Sequence, residues 1–267
     1  MPKRYAELPL AESLKCRAVE EHSPFAYHTA CARYRFAARF LTPESTVIDI
    51  GCGHGYGARI LAETAAKVHA VDEDAAVIDY ARAYFAHANI EYQAGDCFAL
   101  DFGLATFDVV TCFEVIEHLK EPERLIARCL EWLKPGGRLV MSTPNKLVHL
   151  LMGIRWEFHE REYGYSELEA LFRRFADEDH FTIYGENPHL IEHFRHRRGR
   201  FAQEDSAWRK VVRALLPHLV IAAIRKVVPR RPRPVSPEDP VVREASTIDQ
   251  TNVDLCDTFV IVVEKPA

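Results

Sequence analysis

The chain has 267 residues, of which 48% are apolar, and a net charge of −5, enough apolar material for one large domain or a domain with an appendage. Its charged start, MPKRYAELPLAES, has no apolar run behind it, so neither a signal peptide nor a spanning helix is expected there and a cytoplasmic location is. Seven scattered cysteines (16, 31, 52, 97, 112, 129, 256) never form a CxxC pair, which argues for reduced thiols over a disulfide framework or a zinc site. Charge is uneven: residues 195–233 carry twelve Lys or Arg against Glu204 and Asp205, a balance of +10, which leaves about −15 elsewhere.

In chain order, strand-like and helix-like segments alternate as in a parallel sheet covered by helices. TVIDIG (46–51) reads as a buried strand and YGARILAETAA as the helix after it. KVHAVDE (67–73) is a strand, AAVIDYARAYFAH (75–87) a helix, and IEYQAGD (90–96) and FDVVTCFE (107–114) two further strands. EPERLIARCLEWLKPGG predicts a helix with Pro122 in its first turn, closed by Pro135-Gly136-Gly137. RLVMSTP (138–144) is the next strand. SELEALFRRFAD (166–177) predicts a helix capped by Ser166, with Glu169 at the capping-box position. FTIYGE (181–186) follows as a strand, and the last strand, TFVIVVEK (258–265), comes only after about seventy more residues. That gap is too long for a loop and predicts an insertion with its own structure.

The stretch VIDIGCGHGYG places glycines at 51, 53, 55 and 57 directly behind the first strand. Such a loop is where an open α/β sheet holds a nucleotide-like ligand; the alternative is a tight turn that uses glycine for its cheap positive φ. Three features favour a ligand: Asp49 lies two residues before Gly51, the glycines exceed what a turn needs, and Asp72-Glu73 ends the next strand about twenty residues on, suited to ribose hydroxyls. Tyr56 stands where a dinucleotide fingerprint needs its last glycine, and the nearby acid disfavours a pyrophosphate. A cationic or zwitterionic ligand suits the loop better.

On these residues the sequence resembles the class I S-adenosylmethionine-dependent methyltransferases, over roughly residues 20–185. The resemblance implies S-adenosyl-L-methionine as cofactor. It also implies an α/β fold: a doubly wound, seven-stranded, mostly parallel Rossmann-like sheet, with the helical insertion before the last strand. By likeness to the family, Asp49, Gly51, Cys52 and Gly53 form the first motif, Asp72 or Glu73 accepts from the ribose, and Asp96 with Cys97 meets the adenine. FDVVTCFEVIEHL (107–119), which contains Phe113 and Glu114, resembles the fourth motif at the mouth of the active site. YHTACARYRFAARF (27–40) resembles a helix that closes over the methionine end, Arg33 holding its carboxylate beside Tyr34 and His28. Equally, these residues pack an ordinary helix onto the sheet.

Methyl transfer to a hydroxyl needs a base, and His118, directly after the fourth strand, is the leading candidate; the alternative is that it caps or packs the following helix. FHEREY (158–163) resembles the FHxxEY segment of methyltransferases acting on sugars and glycoconjugates, which adds His159 and Glu162 as catalytic or acceptor-contacting residues, with Tyr163 beside them; the alternative is that they cap the next helix. His189, His193 and His196 have helical metal-ligand spacing but stand beside RHRRGR, and a solvated basic face is the preferred reading. No metal is assigned.

The expected organisation is a helical cap (1–45), the cofactor-binding core (46–186), a basic helical insertion or lid (187–256) and the last core strand (257–267). Within the insertion, residues 206–228 are amphipathic and too often interrupted by charge to span a bilayer. A lid over the acceptor is preferred to contact with an anionic membrane surface, and a homodimer interface would cover the apolar face equally well. The basic segment suggests a phosphate-bearing saccharide or other small-molecule acceptor. The acidic body argues against nucleic acid, so the expected activity is O-methylation of a sugar or glycosylated small molecule. A C- or N-methyltransferase of a quinone or other metabolite, or a noncatalytic binding protein, is the alternative.

Overall fold

The computed structural model describes residues 24–152, 158–186, 248–250, 253 and 256–266. Its strands are β1 (Thr46–Ile50), β2 (Lys67–Asp72), β3 (Ile90–Ala94), β4 (Phe107–Phe113), β5 (Leu133–Pro144), β6 (Phe181–Glu186), β7 (Ile248–Asp249) and β8 (Thr258–Glu264). They form one sheet in the order β3-β2-β1-β4-β5-β8-β6-β7. Strands β1 to β5 run parallel, and β8 lies antiparallel between β5 and β6. The seven strands expected from the sequence are present. Ile248–Asp249, within the segment expected to be an insertion, adds a two-residue edge strand paired with Gly185 and Glu186. Residues 187–247, including His189, His193, His196 and the basic amphipathic stretch, lie outside the described residues.

The helices are α1 (Pro24–Ala38), α2 (Tyr56–Leu61), α3 (Ala75–Tyr84), α4 (Pro122–Trp132), α5 (Lys146–Met152) and α6 (Tyr165–Phe172). Asp74 caps α3, its carboxylate accepting from the Ala76 N–H at 2.8 Å. The expected cap of α6 is corrected. The helix starts one residue earlier, behind Gly164, and Glu167 rather than Glu169 accepts the Gly164 N–H at 2.8 Å. Gly164 is extended and Tyr165 already takes the first helical position, so the capping frame shifts by two residues. Likewise α4 stops at Trp132, before the Pro-Gly-Gly sequence, because Leu133 already pairs with Phe107 at the start of β5.

The alternation of strand side chains divides the core in two. Ile48, Val110, Cys112, Phe259 and Ile261 point to one face, where Leu125, Ile126 and Trp132 of α4 and Leu168 and Phe172 of α6 cover them. Val47, Val109, Phe113, Val260 and Val262 point to the other, against Tyr34 of α1, Ala58 and Leu61 of α2 and Ile78 and Ala81 of α3. Burial on both faces explains why these strands read as nearly continuous apolar runs. Six cysteines, 31, 52, 97, 112, 129 and 256, are free thiols among the described residues.

Candidate active site

Strand order reverses between β1 and β4, which pair in parallel from Val47 opposite Val109 to Ile50 opposite Cys112. The glycine loop and the turn after β4 therefore leave the sheet side by side, at the switch point where open α/β sheets bind their ligands. Gly51, Gly53 and Gly55 all have positive φ, at 68°, 53° and 89°. A Cβ on Gly51 would stand 2.5 Å from the Val115 side chain, whereas one on Gly53 would meet nothing within 4 Å. Gly51 is thus demanded by packing, and Gly53 keeps backbone open toward the crevice.

The acids around this loop are held in place. Asp72, the last residue of β2, accepts the Gly53 N–H at 2.9 Å and the Asp74 N–H at 3.1 Å, and burial raises its pKa. Glu73 is exposed. Asp49 is fully buried. Its Oδ1 accepts from Thr111 at 2.7 Å, and its Oδ2 has no partner in hydrogen-bond geometry. Burial pushes its pKa up to about 7 against the pull of Thr111 and of the nearby Tyr34 phenol. Cys52 is buried behind the loop. At the end of β3, the exposed Asp96 accepts the Phe98 N–H at 2.8 Å, and burial lifts the Cys97 thiol to about 11.

Helix α1 packs beside this loop, against α2 and the end of β4. The Tyr34 ring packs edge-on to Phe113, 4.8 Å between centroids, and to Tyr56 at 5.7 Å. Arg33 donates to Glu186 at 2.8 Å and stands 4.0 Å from Glu114. Burial opposes its charge, but the two carboxylates outweigh that and hold the guanidinium firmly protonated, while Glu186 is itself raised by burial. The Arg33 Nε has no hydrogen-bond partner. Glu114 adopts a positive φ of 55°, a strained conformation for a side chain of its size. Ser142 secures it, its Oγ donating to Glu114 Oε1 at 2.7 Å and its carbonyl accepting the Glu114 N–H at 3.1 Å. The His28 side chain lies outside the described residues.

Beyond Glu114 the chain makes a single 3-10 turn, Ile116–His118. Glu117 is buried, and its carbonyl accepts the N–H groups of Glu160 and Arg161 at 2.8 and 3.1 Å. This anchors residues 158–163 over the turn. His118 is exposed, its Nδ1 lies 3.1 Å from the Phe158 carbonyl, and its ring sits edge-on to His159 at 4.9 Å. Both His159 and His149, the latter on α5, place Nδ1 against Glu162 Oε1, at 3.1 and 2.6 Å. Burial lowers the His159 pKa, with Glu162 pulling the other way.

Residues 48–141 match the family model described as "Methyltransferase domain". This segment is similar to methyltransferase domains, and a probable S-adenosylmethionine-dependent methyltransferase of Mycolicibacterium smegmatis is 34% identical over 143 residues. The ubiquinone biosynthesis O-methyltransferase of Coxiella burnetii is 36% identical over 133 residues, 48% of this chain and 57% of that protein. The chain thus spans little more than half the length of the curated relatives it matches. The plantazolicin methyltransferase BpumL, solved with S-adenosylhomocysteine, has a TM-score of 0.58 at 13% identity, covering 98% of this chain and 92% of its own. The Haemonchus contortus phosphoethanolamine N-methyltransferase 2, solved with S-adenosylmethionine, gives 0.55 at 18% identity over 88% and 52%. These solved structures support the fold.

Three features of the site suit S-adenosylmethionine. Gly53 leaves an open backbone, the buried Asp49 Oδ2 has no hydrogen-bond partner, and Asp72 is oriented by backbone donors at the strand end. Most residues singled out from the sequence thus gather along the carboxyl edge of the sheet. Four partners escaped sequence reading: Thr111, Ser142, His149 and Glu186. Thr111 and Ser142 sit at alternate positions in apolar strands, a weak signal. His149 and Glu186 acquire meaning only by contact with residues 13 and 153 positions away.

Proposed function

We propose that this chain transfers the methyl group of S-adenosyl-L-methionine to a hydroxyl of a small-molecule acceptor. The cofactor, when bound, supplies an electrophilic methyl carbon on a good leaving group. Asp72 would receive its ribose hydroxyls and Asp96 with Cys97 its adenine. Gly51, Cys52 and Gly53 would border it through their backbone. Asp49, Arg33, Tyr34, Phe113 and Glu114 would enclose its amino-acid end, the cation facing Asp49.

A hydroxyl acceptor must lose its proton to a positioned base. The observation that carries this reading is the contact between His118 Nδ1 and the Phe158 carbonyl. A carbonyl oxygen only accepts, so the contact requires hydrogen on Nδ1 and leaves Nε2 with the basic lone pair. His118 follows directly on the turn that covers Gly51, beside the crevice where the methyl donor would lie. Replacing it with alanine should lower kcat about 10²–10⁴-fold with cofactor affinity unchanged. Full turnover by His118→Ala removes the reading.

For the acceptor, the His159–Glu162 segment supports a saccharide or glycosylated molecule. The name of the Coxiella burnetii relative supports a second reading, a phenolic hydroxyl of a quinol-like ring. A phenol has a pKa of about 10 and depends less on a base. Labelled methyl transfer into parallel panels of nucleotide sugars and catechols separates the two, and label in neither panel sinks both.

A further inference from the structure

We propose that His149, His159 and Glu162 form a binding site for one divalent transition-metal ion at the acceptor mouth. The three side chains come from two segments that are tied both to the core and to each other. On α5, Asn145 turns the chain so that its Oδ1 accepts the Leu147 N–H at 2.9 Å and its carbonyl accepts the His149 N–H at 3.0 Å. The Asn145 amide in turn donates to the Cys256 carbonyl at 2.8 Å. Residues 158–163 are tied by Glu160 and Arg161 to the Glu117 carbonyl, and by the Tyr163 carbonyl to the Lys146 N–H at 2.9 Å. Such anchoring preorganises ligands before any ion arrives.

The donor atoms lie close together. Both Nδ1 atoms address the same Glu162 oxygen, at 2.6 and 3.1 Å, and one ligand atom from each of the three residues falls within 4.8 Å of the others. The imidazole rings stack at 6.1 Å with 23° between planes, and the three side chains are only 9%, 10% and 19% exposed. In a tetrahedral centre with bonds of about 2.0–2.1 Å, ligand atoms stand roughly 3.3 Å apart. The Nδ1 atoms therefore need to retreat from Oε1 by only some tenths of an ångström. Two imidazoles and one carboxylate favour zinc, cobalt, nickel, manganese or ferrous iron over magnesium or calcium, which prefer all-oxygen sets. A neutral imidazole gives up its Nδ1 proton and takes one at Nε2 on loading, while a cationic one releases a proton to solvent. The rim holds further donors, since Glu117 and His118 also bring ligand atoms within 4.8 Å of one on His159. This leaves room for a fourth ligand or an acceptor oxygen. That the ion would polarise the acceptor hydroxyl rests on the proposed function; its binding does not.

The test is titration of the chelator-treated full chain with Co2+, followed by visible absorption and calorimetry. The expected result is one ion per chain with a low-symmetry spectrum. His149→Ala and Glu162→Gln should each weaken binding more than about 100-fold while keeping cofactor affinity and the far-ultraviolet circular dichroism of the parent. A His189→Ala/His193→Ala/His196→Ala variant should bind as the parent does. Unchanged Co2+ affinity in His149→Ala or Glu162→Gln, loss of the ion in the triple variant instead, or no binding by the parent overturns the proposal. If Co2+ binds one to one but no hydroxyl acceptor is methylated, the proposed function falls and the metal site stands.

Discussion

Replacing Asp49 with asparagine isolates the cost of keeping a carboxylate in the core. Asp49 is completely buried, and its pKa rises from 3.8 to about 7. A shift of about three units corresponds to about 4 kcal/mol between the two protonation states. Because the folded pKa is the higher one, the native state holds the extra proton between about pH 4 and pH 7. The contribution of Asp49 to stability therefore falls as pH rises through that window and is flat above it. In Asp49→Asn the Oδ1 can still accept from Thr111, and the ionisable group is gone. Urea unfolding of both proteins at intervals from pH 4.5 to pH 8.5 yields a difference curve in which the other buried acids, Glu117 and Glu186 among them, largely cancel. The variant should gain on the parent by up to about 4 kcal/mol across the window. A difference constant to within about 1 kcal/mol refutes the argument.

The same group makes cofactor binding depend on pH in the opposite sense. A cation beside Asp49 favours its ionised form, so affinity for S-adenosyl-L-methionine should climb by up to about tenfold per unit as pH rises toward 7 and then level off; calorimetry on Asp49→Asn should find that slope flattened. Gly57→Ala would drive a Cβ into the buried Tyr34 ring and should cost about 1–3 kcal/mol. Gly53→Ala meets no neighbour, so beyond the roughly 1 kcal/mol of a left-handed residue it should act on cofactor affinity; thermal midpoints and calorimetry on the pair show whether fold and binding separate in this way. Arg33→Met leaves Glu186 buried and unpaired and should cost about 3–5 kcal/mol. Adding Glu186→Gln should restore most of that loss, and a double variant no more stable than the single one in urea contradicts the pairing.

The strands and the glycine loop were legible because their causes are local. A run such as TVIDI must be extended and buried, and glycines at 51, 53 and 55 supply the positive φ values that the turn uses. Helix ends were less legible. The cap of α6 moved to Gly164 because Glu167 and Glu169 are chemically equivalent candidates and only the backbone decides between them. The end of α4 moved because pairing of Leu133 with Phe107 overrides the Pro-Gly-Gly signal.

What the sequence by itself determined was the order of the seven main strands and of five of the six helices, the glycine turn and the acids at its exits, since each depends on residues within one or two turns of chain. The tertiary structure decided the partners: Glu186 for Arg33 across the sheet, Thr111 for Asp49 between neighbouring strands, and His149 for Glu162 between a helix and the segment that folds over it. These pairings depend on where separate elements meet, and nothing in a side chain's own neighbourhood along the chain encodes which distant group will satisfy it once water is gone.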